Sequence, residues 1–163
     1  MPYRRTVDGR IRDAAHAVDR ALREAVPETY AGLVLSDSAR TIEVRLTQLS
    51  PASRLVAEAE ANGCPIRFIH VLNSLESLEG AFEHVMRASQ DLKAEGIKLV
   101  GFGVDIQLNR VDLRVQDVTI TVAKALSDRF GANLVYVRPG EPGFPLSDDG
   151  EAATLSLISP MSD

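Results

Sequence analysis

Tryptophan is absent from the 163 residues, and all aromatics together make 5% of them, so there is no supply of rings for stacking nucleic-acid bases. Basic residues are outnumbered, 18 Lys and Arg against 23 Asp and Glu, and the net charge of −5 removes the basic face of a general nucleic-acid binder. The single cysteine, Cys64, excludes an internal disulfide and any cysteine-based zinc site. It stands in NGCPI just ahead of an apolar run, where a small buried thiol is expected. No apolar stretch approaches the ~18 to 20 residues that cross a bilayer, so no membrane partner is expected. The amino terminus, MPYRRTVDGRIRDAAH, opens with basic residues as signal peptides do, but no apolar stretch follows. As it stands the sequence reads as cytoplasmic, or as secreted if an export signal has been removed.

Catalytic signatures are equally scarce. There is no GxSxG elbow, and no Ser, His and Asp set stands inside a recognisable motif. His16, His70 and His84 lack a second ligand at metal-binding spacing. Gly101-Phe102-Gly103 lacks the helix and downstream acid of a phosphate loop, and reads as a strand with a bulge. Asp148 and Asp149 fall in a Pro-, Gly- and Ser-rich tail, where two solvated acids are expected rather than an acid/base pair. Arg40, Arg45, Arg110 and Arg114 lie on hairpins, where exposed charge keeps sheet edges soluble. The expectation is a protein that is not an enzyme and needs no cofactor.

What the chain does contain is a repeat. Gly32 and Gly101 stand 69 residues apart, and the same step carries Leu35 to Val104, Ile42 to Val111, Val44 to Leu113 and Leu46 to Val115. After a one-residue slip Gly63 falls on Gly131, Ile66 on Leu134, Phe68 on Tyr136 and His70 on Arg138. Both copies read as strand, turn, strand, helix, strand. In the first, residues 30–35 and 41–47 form a hairpin, Ser50-Pro51 caps and opens a helix, Asn62-Gly63 ends it, and 66–72 is a strand. In the second, Val104, Ile106 and Leu108 alternate on one strand and Val111, Leu113 and Val115 on the next, with a tight turn at Asn109-Arg110. Thr119 or Asp117 then caps a helix that Gly131 ends, and 134–137 is the last strand.

Two long helices flank these copies. Ile11, Ala14, Ala15, Val18, Ala21, Leu22 and Val26 recur at helical spacing up to Pro27. Leu75, Leu78, Phe82, Val85, Met86 and Leu92 do so over 73–95, where the helix reads as a connector between the copies. The expected fold is α+β: two β-hairpin-α-β units with small antiparallel sheets, joined by the long helix, with an N-terminal helix in front. The boundaries are 1–27 for that helix, 28–73 and 98–139 for the units, 74–97 for the connector, and 140–163 for an extended tail.

Four stretches carry a family likeness: YAGLVLSDSARTIEVRLT, IRFIHVLNSLESLEGAFEHVMRA, VGFGVDIQLNRVDLRV and GANLVYVRPGEP. Their order and spacing resemble the pro region of the alpha-lytic protease group, bacterial chymotrypsin-like serine proteases. The resemblance implies a folding chaperone and inhibitor whose C-terminal sheet pairs with a protease hairpin while its tail lies in the active-site cleft. Carried over by position, it makes Val104, Ile106, Val111, Leu113, Val135 and Val137 the docking sheet, and puts Phe144 and Leu146 in the tail. It implies a chymotrypsin-like serine protease as partner. The alternative is a stand-alone bacterial domain that binds another protein, or itself, through a sheet edge. A small-molecule or enzymatic site between the units is a third reading, for which no converging polar set is visible.

Overall fold

The repeat is longer than the sequence pattern suggests. In the structure, a computed structural model that describes residues 6–36 and 40–142, helix α1 spans Thr6–Ala25 and helix α3 spans Leu75–Ala94, again 69 residues apart. Between and after them run β1 (Tyr30–Ser36), β2 (Thr41–Leu46), α2 (Pro51–Glu60), β3 (Ile66–His70), β4 (Leu99–Asp105), β5 (Arg110–Val115), α4 (Ile120–Phe130) and β6 (Val135–Pro139). Each copy is therefore α-β-β-α-β, and the expected connector is the first helix of the second copy. The chain divides into two units between Glu76 and Ser77. The protein is α+β with two sheet units.

Each sheet has three strands, in the orders β1-β2-β3 and β4-β5-β6. The hairpin strands are antiparallel as expected, but β3 runs parallel to β2 and β6 parallel to β5, so both sheets are mixed. The reason is the crossover: α2 and α4 carry the chain back along the sheet before the third strand begins, which restores the direction of the second. The register also removes the one-residue slip. Ile42 faces Ile66 and Val111 faces Val135, so Ile66 corresponds to Val135, not Leu134, at the same 69-residue step.

Local chemistry explains the element ends. Ser50 accepts the Ser53 N–H at 3.1 Å while Ser53 Oγ accepts from the Ser50 N–H, with Pro51 opening α2; Thr119 accepts the Val122 N–H at 3.2 Å to start α4. Asn62 and Gly63 take positive φ, 50° and 78°, as a left-handed exit from α2 requires. The hairpins turn through a left-handed residue at matching places, Arg40 and Asn109. The second turn is longer than expected: β4 stops at Asp105, whose carboxylate accepts the Leu108 N–H at 2.9 Å. Ile106 and Leu108 thus belong to the turn, the first buried and the second half-exposed.

In the first unit Val18, Leu22, Ile42, Val44, Leu46 and Ala57 are buried, α2 packs on α1, and Ala61 just past the end of α2 is buried as well. Tyr30 is 1% exposed, and its hydroxyl donates to Asp19 at 2.6 Å, a carboxylate that also accepts from Arg23 at 3.0 Å. Burial first, then the Asp19 charge, pushes the Tyr30 phenol far above its ordinary range. In the second unit Ala81, Val85, Ala88 and Leu92 of α3 meet Val111, Leu113, Val115, Leu126, Phe130 and Val135. Larger side chains, Leu126 and Phe130, fill the places taken by Ala57 and Ala61 in the first copy.

Candidate functional site

The second sheet has one apolar and one charged face. Val111, Leu113 and Val115 of the central strand point to the core, so Arg110, Asp112 and Arg114 point the other way. Their neighbours on that outer face are Asp105, Gly103 and Gly101 of β4, and Tyr136 and Arg138 of β6. Asp112 is the hub. Its carboxylate accepts two hydrogen bonds from Arg138, at 2.8 and 2.7 Å, a fork-to-fork pair. Those bonds, and then the Asp112 charge, hold the Arg138 guanidinium above its usual pKa. Arg114 stands further off, its Nε 3.9 Å from the same carboxylate. Arg110 donates instead to the Asn133 carbonyl.

Arg114 lies across the neighbouring strand. A Cβ built on Gly101 would stand 2.5 Å from its Nη2 and 2.8 Å from its Cζ, so only glycine leaves room for the guanidinium there. This glycine sits at a β-bulge between Leu99 and Gly101, as the sequence suggests, and the first copy has its bulge at the matching place in β1. The first sheet repeats the charge pattern on its outer face: Glu43 pairs with Arg67 of β3, and Arg45 lies 3.8 Å away. Arg45 departs from the expected exposed hairpin charge, since its side chain is only 12% exposed against 46% for Arg114.

The edges of the second sheet follow from its hydrogen bonding. The Val111 N–H donates to the Leu134 carbonyl, so Val111 and Leu113 turn their backbone groups to β6, and Arg110, Asp112 and Arg114 turn theirs to β4. Their partners Asp105, Gly103 and Gly101 are therefore paired inward. Phe102 and Val104, between them, aim N–H and C=O away from the sheet, and no described strand pairs with that edge. The outer edge of β6 is largely spent: the Val135 N–H donates to the Gly131 carbonyl at 3.1 Å, and the strand closes at Pro139, which has no N–H to give.

The residues expected to dock a partner fall into three groups. Val111 and Leu113 are fully buried and Val135 is 4% exposed, so their side chains hold α3 and α4 and are not offered outward. Val104 and Val137 are half-buried against the same core, and Ile106 is buried in the turn. Phe144 and Leu146 lie outside the described residues. The apolar side chains of these alternating strands face their own core, so what the sheet turns outward is its charged face and its edges. Gly101 and Phe102, which the sequence marks as a bulged strand, and Arg114, which it marks as an exposed hairpin charge, come together on this sheet with Asp112, which the sequence reading does not single out. The repeated pairs Glu43/Asp112 and Arg45/Arg114 were the available signal.

Elsewhere little converges. A shallow hollow of about 420 Å³ in the first unit is lined by Arg10, Asp13, Glu60, Asn62 and Cys64 among alanines. Cys64 is half-buried there, more open than expected. His16 and His70 are exposed, and His84 stacks edge-on against Phe130 at 5.0 Å. Among the described residues no group of three or more His, Cys, Asp or Glu could hold a metal ion, and no helix is long and apolar enough to cross a membrane. No protein-family model matches the chain, and neither does any curated protein.

Proposed function

We propose that this chain is a non-enzymatic protein-binding module of the protease pro-region kind, which docks by accepting an extended strand of its partner on the outer edge of β4. The observation that supports this reading is the pair of outward-facing backbone positions, Phe102 and Val104, on a seven-residue edge strand. Strand addition draws its affinity from main-chain hydrogen bonds of this kind. The resemblance supplies the partner class, a chymotrypsin-like serine protease, and gives residues 140–163, with Phe144 and Leu146, the active-site cleft. Titrating the protein into a protease of the alpha-lytic kind, with residual activity as readout, tests it. Stoichiometric inhibition that weakens when residues 140–163 are deleted is the expected result. Full protease activity at saturating protein, with no recovery of the unfolded protease, overturns the protease assignment. An open edge also pairs with a second copy of the chain, and sedimentation over a range of concentrations separates that reading from the first.

A further inference from the structure

Arg114 has more hydrogen-bonding capacity than the described residues use. Both Asp112 oxygens accept from Arg138, and Arg114 Nε remains 3.9 Å away, beyond hydrogen-bond distance. The side chain starts on the central strand and reaches over Gly101 on the edge strand, so its guanidinium is carried toward the open side of the sheet. It is 46% exposed there. The matching Arg45 of the first unit is 12% exposed and is not presented in this way.

We propose that the strand accepted by β4 is an acidic one: it carries an Asp or Glu opposite Gly101, and Arg114 holds that carboxylate. This rests on the reading of β4 as the docking edge, but not on the partner being a protease. A strand added beyond β4 lies about 4.8 Å from it. Because Gly101 turns its backbone groups inward, an antiparallel newcomer meets it as a non-hydrogen-bonded pair, the kind whose side chains approach most closely, roughly 4.5 to 5.5 Å between Cβ positions. Glycine puts nothing in that space, and a planar guanidinium lies over it. A carboxylate fits by charge and by its two acceptor oxygens. A lysine there would be repelled, and a glutamine would keep the shape but lose the charge.

The test uses three blocked peptides, Thr-Val-Thr-Val-X-Val-Thr-Val-Thr with X as Glu, Gln or Lys, titrated into the isotope-labelled full chain and into Arg114→Gln. The amide signals of Phe102 and Val104 report binding at the edge. The Glu peptide is expected to bind about three- to tenfold more tightly than the Gln peptide, with the Lys peptide weakest. In Arg114→Gln the Glu and Gln peptides should bind alike, at the affinity the Gln peptide has for the unaltered chain. Equal binding of Glu and Gln peptides to the unaltered chain overturns the acidic assignment, as does a Glu preference that survives Arg114→Gln. Failure of all three to move the Phe102 and Val104 amides removes the docking edge and the proposal together. A Glu preference alongside full protease activity in the inhibition assay removes only the protease.

Discussion

Two neighbouring proline substitutions on β4 separate the inward from the outward backbone positions. The Gly103 N–H belongs to the ladder with Asp112, whereas the Val104 N–H points away from the sheet. Gly103→Pro removes a paired donor, leaves the Asp112 carbonyl short of a partner at a cost of roughly 1 to 3 kcal/mol, and sets the ring against β5. A loss of about 3 kcal/mol is expected. Val104→Pro breaks no ladder bond. It gives up part of a half-buried valine's packing, about 1 kcal/mol, and tightens φ on an edge strand, where proline is tolerated. Urea unfolding followed by circular dichroism should thus place the two variants about 2 kcal/mol apart, with Val104→Pro folded at neutral pH. Strand addition should show the reverse sensitivity, since Val104→Pro removes one of two outward donors and weakens peptide binding by about tenfold. A Val104→Pro variant as unstable as Gly103→Pro would refute the register from which the docking edge is derived. One that binds strands as well as the unaltered chain would refute the edge itself.

Tyr30→Phe removes a charge-assisted bond between a buried phenol and Asp19, and should cost about 1 to 2 kcal/mol in denaturant titrations. The same residue sets an alkaline limit. Its phenol is raised above the ordinary tyrosine range, so the folded chain keeps a proton that the unfolded chain loses above about pH 10. Stability is then complete below pH 10 and falls above it by up to about 1.4 kcal/mol per pH unit, and Tyr30→Phe should flatten that fall. The two helix interfaces should respond oppositely to size. Ala57→Leu overfills a fully buried site on α2 and should cost about 1 to 3 kcal/mol, while Leu126→Ala at the matching place empties the second core and should cost about 2 to 5 kcal/mol. Equal tolerance of both changes would mean that the two copies are packed alike.

The duplication left the two outer sheet faces alike in charge pattern but not in exposure. Both copies keep the acid on the central strand, the arginine two residues on, and a third charge from the last strand. They differ in how open the central-strand arginine is, Arg45 at 12% exposed and Arg114 at 46%.

The amino-acid sequence by itself determined the elements and their ends. Alternation in Ile42, Val44 and Leu46, the Ser50-Pro51 start, the Asn62-Gly63 exit and the Thr119 cap act within a few residues, and local chemistry of that range is written in the chain. The tertiary structure decided what those elements do. The 73–95 helix pattern could not say which sheet it covers, because periodicity fixes a buried face but not the surface that buries it; only packing assigns Val85 and Leu92 to Val111 and Leu113. Strand direction after α2 and α4, the inward turn of Val111 and the outward turn of Phe102 depend on pairing between residues far apart in the chain. For the same reason the open edge of β4 is not legible in the sequence: it is defined by backbone groups, which every residue carries and no sequence pattern marks.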